Sequence, residues 1–347
     1  MRVLFDIVHP AHVHFFKYLR GDLVAEGHET LVVAREKDVT LALLDEYDIP
    51  YESVGQSGRK DRVGQARELI NRDLTLYRLA RKFRPDLVLT RNPAGVQVAK
   101  VLRGAVGVFD TDDGRAAGIH FRAAAPFADV ITTPDCMGGE DYGRKHRKYA
   151  SYKALAYLHP NRFTPDPKIR GVLGVGDEPY AIVRFVDMVA SHDRDESGMS
   201  LDDKRHVIEH LMARGRVFVS CEGAMPDEFA ELRFSVPAHL MHDALAQAWV
   251  CVGDSQTMAA EAAILGVPAI RCSSFVGRLA YLEELEHKYA LIESFLPADA
   301  PRLLERIEDL RPSAELAQTW RERQATMLAD KIDLTSWYRA LCNELTG

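Results

Sequence analysis

The sequence has little cysteine, and none of it is arranged for metal or disulfide chemistry. Its five cysteines (Cys136, Cys221, Cys251, Cys272 and Cys342) form no CxxC pair, which argues against a zinc knuckle, and five thiols over 347 residues cannot make a disulfide scaffold. Unpaired thiols in mostly apolar surroundings suit a reducing compartment. No uninterrupted run of about 18 apolar residues exists, so no membrane span is expected. The opening MRVLFDIVHP breaks its apolar stretch with Asp6, His9 and Pro10 and does not read as a signal peptide. Neither a GxGxxG nor a P-loop lysine motif follows the first apolar run, which disfavours a dinucleotide or Walker-type site there. Net basic charge is lacking too. The 44 Lys and Arg stand against 51 Asp and Glu, and a net charge of −7 excludes a general nucleic-acid binder, which needs a basic face. The expected location is the cytoplasm, free or peripheral at the inner face of a membrane.

What is present is an ordinary globular composition, 47% hydrophobic and 27% charged, over a length that suits two domains. The acidic excess falls after residue 150. The basic residues concentrate in Arg59, Lys60, Arg62, Arg67, Arg72, Arg78, Arg81, Lys82 and Arg84, opposed only by Asp61, Glu68 and Asp73. Short apolar runs at Val3–Val8, Thr30–Ala34, Tyr51–Val54, Asp86–Thr90, Val106–Asp110 and Val130–Thr133 read as strands, with helical spacing between them. That alternation predicts a parallel sheet covered on both faces. Three prolines in Tyr157–Pro167 mark a linker. A second alternation follows, with strands at Tyr180–Phe185, Val217–Cys221, Trp249–Val252 and Pro268–Arg271, and residues 313–346 read as terminal helices. The expected architecture is α/β, with two Rossmann-like doubly wound domains at 1–160 and 161–312 and terminal helices at 313–347.

In open parallel sheets, ligands gather at the carboxyl ends of the strands. The first strand ends in Asp6-Ile7-Val8-His9-Pro10-Ala11-His12-Val13-His14. His12 and His14 open the following helix and are candidates for proton transfer or for holding a hydroxylated substrate. The fifth strand ends in Asp110-Thr111-Asp112-Asp113-Gly114, where Asp112 is a candidate proton acceptor or hydroxyl binder, unless these residues only cap a helix. Clustered carboxylates need solvent, a cation or a basic partner, but no diagnostic metal-ligand spacing accompanies them. No metal and no cofactor is expected.

The sharpest segment is Gly253-Asp254-Ser255-Gln256-Thr257, followed by an alanine-rich helix that carries one acid, Glu261. A helix opening with small residues offers backbone N–H groups and its dipole to a diphosphate. Glu261, two turns after Asp254, could accept hydrogen bonds from a ribose. Arg184 ends a strand and suits a phosphate. His192 opens a polar loop, Glu222 follows another strand, and Arg278 follows a Ser-Ser-Phe-Val-Gly turn.

Taken together, HPAHVHFF, RFVDMVASHD, GDSQTMAAEAAILGVPAI and SSFVGRLAYLEELEHKYALI resemble a prokaryotic family of uncharacterised activity. That family is related to GT-B glycosyltransferases and to the non-hydrolysing UDP-N-acetylglucosamine 2-epimerases. The resemblance implies a GT-B fold, two Rossmann-like domains facing a cleft, with the terminal helix crossing back to the first. It implies a nucleotide-sugar donor on the second domain, its diphosphate at Asp254, Ser255, Gln256 and Thr257, its ribose on Glu261 and its base framed near His242. Gln256 and Thr257 stand where the epimerases carry glycines, and Ala260 where they carry the first of two glutamates. The implied activity is transfer of a sugar from a nucleotide donor to a glycan or lipid-linked hydroxyl acceptor, in surface glycan or glycolipid biosynthesis. A sugar-nucleotide 2-epimerase and a non-catalytic sugar-nucleotide binder are the alternatives.

Overall fold

The structure, a computed structural model, describes residues 1–56, 62–186, 199–221 and 225–347. It divides into two compact units, Met1–Arg162 with Lys331–Gly347, and Phe163–Asp330.

The first unit is built on seven strands: β1 (Arg2–Ile7), β2 (Glu29–Glu36), β3 (Glu52–Gln56), β4 (Leu87–Thr90), β5 (Val106–Asp110), β6 (Val130–Pro134) and β7 (His146–Tyr149). Their order is β3-β2-β1-β4-β5-β6-β7, and every neighbouring pair is parallel. The second unit carries β8 (Tyr180–Phe185), β9 (Arg216–Cys221), β10 (Val250–Gly253), β11 (Ala269–Cys272) and β12 (Ile292–Phe295) in the parallel order β12-β11-β10-β8-β9. Helices α1 (Pro10–Ala25), α2 (Thr40–Glu46), α3 (Arg62–Phe83), α4 (Pro93–Val101), α5 (Ile119–Ala124) and α6 (Leu155–Leu158) belong to the first unit. The second holds α7 (Ile169–Val172), α8 (Leu201–Met212), α9 (Met241–Ala246), α10 (Gln256–Ile264), α11 (Ala280–His287), α12 (Ala300–Asp309) and α13 (Ala314–Asp330), and α14 (Leu334–Thr346) returns to the first.

The continuous apolar strands expected of a two-sided sheet are buried as such. Leu4, Val33 and Val88 pack against Leu76 and Ala80 of α3 and Val98 and Ala99 of α4. In the second unit Val183, Val219 and Val252 pack against Val207 and Leu211 of α8 and Leu303 and Ile307 of α12. Helix starts follow their sequence signals. His9 caps α1 by accepting the Ala11 N–H at 3.2 Å, with Pro10 in the first turn. Ser200 and Asp203 form a reciprocal capping box on α8.

The strand order reverses between β1 and β4 in one sheet and between β8 and β10 in the other. These switch points open crevices at the carboxyl ends of the strands, where ligands bind in such sheets. Two edge strands escape the apolar-run criterion, since β7 reads His-Arg-Lys-Tyr and β12 reads Ile-Glu-Ser-Phe. The terminal segment 313–347 divides between the two units. Helix α13 stays with the second unit, where Trp320 Nε1 donates to the Leu291 carbonyl at 3.1 Å and Gln324 Nε2 to the Ile264 carbonyl at 2.7 Å. From Lys331 on, the chain joins the first unit, with Thr335 Oγ1 donating to the Ala156 carbonyl at 2.8 Å. Among the described residues, no helix is long and apolar enough to cross a membrane.

Candidate functional site

At the carboxyl ends of β4 and β5 the first unit buries a charged network. The Arg91 guanidinium bridges the carboxylates of Asp110 and Asp112, and Lys153 Nζ lies 3.1 Å from Asp112 Oδ2. Asp110 Oδ1 also receives three hydroxyls, from Tyr338 at 2.6 Å, Thr132 at 3.0 Å and Tyr149 at 3.1 Å. Gly114 closes the strand-end loop at φ +52°, where a side chain would be strained and a Cβ would sit 2.5 Å from Met137 Cε. Of the carboxylates expected to need a cation or a basic partner, Asp110 and Asp112 thus have basic partners. Burial works to raise the Asp112 carboxyl, but Arg91 and Lys153 outweigh it and hold it well below the ordinary carboxylate range. Both Asp112 oxygens are engaged, Oδ1 by Arg91 and Oδ2 by Lys153, and a proton on either would have to displace a cation, so the candidate base role of Asp112 fits the site poorly.

His12 is buried in the first turn of α1, and its Nδ1 faces the Val8 N–H at 3.5 Å. That is the outer limit of a hydrogen bond and does not pin the ring proton to Nε2. Burial, then the Arg91 charge, pushes His12 well below 6.5, so the imidazole is neutral at pH 7. His14, one residue pair on, points elsewhere. Its ring lies between Tyr47, whose hydroxyl is 3.4 Å from Nδ1, and Tyr157, at a centroid distance of 5.4 Å. The two candidate histidines therefore have different surroundings, and His14 is packed among aromatic rings.

The second unit builds its site where β8 and β10 end side by side. Gly253 pairs with Arg184, and a Cβ at Gly253 would lie 1.9 Å from the Arg184 carbonyl oxygen, so this position must be glycine. Asp254 follows. Its N–H donates to that carbonyl at 3.1 Å, and its Oδ1 accepts the Val186 N–H at 2.7 Å. The carboxylate ties two strand ends together, and burial raises it to about 6 against the pull of the Val186 N–H and of Lys204. Ser255 caps α10 by accepting the Met258 N–H at 3.4 Å. The first N–H groups of the helix, at Gln256 and Thr257, have no partner within it. Arg184 donates from NH1 to Ser220 Oγ at 2.6 Å, which aligns its side chain across the ends of β8 and β9.

Two further groups define the site. The Gln256 amide is turned inward, with Nε2 donating to Ser273 Oγ at 2.8 Å and Oε1 accepting from Arg271 at 2.5 Å. Arg271 is fully buried on β11 and also donates to Ser294 Oγ at 3.2 and 3.0 Å. One side chain thus anchors the α10 start to β11 and β12. One helical turn and more beyond, Glu261 Oε1 lies 3.3 Å from His242 Nε2 of α9, and both are buried. The Glu261 charge adds to burial in pushing the Cys251 thiol of β10 up to about 12. Glu261 is therefore an acid deep in the β10–α10 layer, paired with the residue expected to frame a base.

Placed beside solved structures, the chain is matched along nearly all its length. The glycosyltransferase VinC in complex with dTDP superposes with a TM-score of 0.64, at 15% identity over 99% of this chain and 100% of that one. A putative UDP-N-acetylglucosamine 2-epimerase from Listeria monocytogenes gives 0.66, at 13% identity over 98% of this chain and 94% of that one. UDP-GlcNAc 2-epimerase from Neisseria meningitidis, bound to UDP-GlcNAc, gives 0.64 at 10% identity, with 99% of each chain covered. The chain has a GT-B fold. No family model and no curated protein sequence matches it.

Within the GT-B frame, the β8–β10 crevice gathers Arg184, Asp254, Ser255, Gln256 and Thr257, with the Glu261–His242 pair behind it. His192 and Glu222 lie outside the described residues. Arg278 is exposed, its guanidinium 5.4 Å from the Phe275 ring centroid, and among the described residues it shares no hydrogen bond or ion pair with the α10 turn. Sequence reading missed Arg91, Lys153, Tyr338 and Arg271. The strand-end rule that selected Arg184 would also have selected Arg91, directly after β4. Nothing local marks Tyr338, which reaches Asp110 from 228 residues away.

Proposed function

We propose that the chain binds a sugar nucleotide through its second unit and transfers the sugar to a hydroxyl acceptor. The observation that carries this reading is the β8–β10 crevice, where a glycine-enforced turn leads into a serine-capped helix start beside Arg184. Free N–H groups, the helix dipole and a guanidinium stabilise a departing diphosphate as its negative charge grows, and that chemistry requires no metal. Glu261, oriented by His242, is the acceptor for ribose hydroxyls. In the first unit His12 takes the acceptor's proton, because it is neutral at pH 7 whereas Asp112 is locked between two cations.

The acceptor class is a glycan or lipid-linked hydroxyl. A second reading, a sugar-nucleotide 2-epimerase, draws on the fold neighbours that are epimerases with TM-scores as high as those of the transferases. One experiment separates the readings. UDP- and dTDP-sugars are incubated with the chain alone, then with candidate glycan acceptors. Epimerisation without acceptor supports the second reading, and turnover only with acceptor supports the first. Binding without turnover in either case leaves a sugar-nucleotide-binding protein. Lack of binding of any sugar nucleotide overturns all three.

A further inference from the structure

We propose that the α3–α4 face of the first unit docks on an anionic lipid surface, an inference independent of the sugar-transfer reading. Helix α3 buries Leu76 and Ala80 against the sheet, yet it also presents apolar groups outward. Leu69, Ile70 and Leu74 are 51%, 59% and 47% exposed, and Val101 at the end of α4 is 67% exposed. Ile70, Leu74 and Tyr77 follow one helical stripe, and the next position on that stripe is Arg81. Between α3 and α4 the stripe borders a groove of about 370 Å³, lined by Ile70, Leu74, Tyr77, Val98 and Val101 together with the polar side chains of Asp73 and Gln97. Large aliphatic side chains this exposed, side by side on two helices, are unusual on a surface that faces only water.

The charges around the groove identify its occupant. Arg78, Arg81, Lys82 and Arg84 are exposed at the C-terminal end of α3, and Arg103 is exposed just after α4. The acids nearby are engaged: Glu68 with Arg35 at 2.8 Å, Asp73 with Arg72 at 3.2 Å, and Asp129 with Lys100 at 3.0 Å, while Asp86 accepts the Arg2 N–H at 2.7 Å. Arg72 is buried in that pair, so it adds nothing to the outward charge of the basic stretch. The side chains of Arg62 and Arg67, and residues Arg59 and Lys60, lie outside the described set. Aliphatic groups that enter the headgroup layer, flanked by cations that meet lipid phosphates, are the chemistry of a peripheral membrane surface. The rest of a chain with net charge −7 is repelled by the same surface, so contact here also fixes orientation.

The test sediments the full chain with phosphatidylcholine vesicles, with and without phosphatidylglycerol. Binding only to the anionic vesicles, weakening as salt is raised, is expected. Arg78→Gln, Arg81→Gln and Lys82→Gln together should lower affinity by roughly fivefold per charge, on the order of a hundredfold at low salt. Ile70→Ser with Leu74→Ser should lower it on the order of tenfold at every salt concentration, through lost apolar contact. Both variants should melt like the parent, because the altered side chains are exposed. Binding unchanged in both variants, equal binding to neutral vesicles, or no binding at all overturns the proposal. So does a concentration-dependent dimer that the Ile70 and Leu74 changes abolish without vesicle binding, since a second copy is then the occupant.

Discussion

Glu261 Oε1 and His242 Nε2 lie 3.3 Å apart, both buried, joining α10 to α9 behind the β8–β10 crevice. The pair explains how an alanine-rich helix carries one acid. The acid is not a stray surface charge but one half of a buried contact whose other half lies on a separate helix.

Glu261→Ala is therefore expected to do two things. It removes a buried partner of His242, which should cost about 1–3 kcal/mol of stability. It should also weaken sugar-nucleotide binding by a similar amount. Glu261→Gln keeps a hydrogen-bonding group at the same place, so it should retain most of the stability while losing affinity. Calorimetric titration with UDP and dTDP, beside thermal melts, separates the effects. An unchanged affinity in both variants removes Glu261 from the site.

His12 is held neutral by burial and by Arg91. If it takes the acceptor's proton, kcat/KM should keep its plateau below pH 6.5, with the acid limb well under the usual histidine range. His12→Gln should lose on the order of 100-fold or more in rate while binding donor normally. An acid limb centred near 6.5 would mean that His12 is solvated and not held neutral by burial and the Arg91 charge.

Asp254 predicts a pH-dependent stability. Its carboxyl is raised from the ordinary 3.8 to about 6 by burial, so between those values the folded chain binds the extra proton. Stability then falls as pH rises through that window, by at most about 2–3 kcal/mol. Asp254→Asn should flatten the fall. Melting temperatures measured from pH 4 to 7, in parent and variant, give the comparison. Parallel curves would leave the carboxylate ordinary.

Chelation tests how the diphosphate is balanced. The Asp110 and Asp112 carboxylates are already met by Arg91 and Lys153, and Arg184 with the α10 dipole supplies positive potential in the second unit. Transfer activity is expected to survive EDTA. Loss on chelation, with rescue by magnesium or manganese, would assign a cation to the Asp110–Asp113 loop instead.

Alternation of short apolar runs with helical spacing determined two parallel sheets, because a strand buried on both faces has no use for polar residues. The same logic located Gly253–Thr257 and Glu261, since a tight turn, a cap and an isolated acid are local signals. Edge strands such as β7 carry no such pattern, because one side needs no apolar cover. Only the tertiary structure decided which charges meet. It set Asp112 between Arg91 and Lys153, turned His14 toward Tyr47 and Tyr157, and brought Tyr338 across 228 residues to Asp110. It also split the terminal segment at Lys331, leaving α13 with the second unit. The physical reason is common to all of these. Pattern and capping act within a few residues of chain, whereas charge neutralisation and burial depend on neighbours that only the folded sheet brings together.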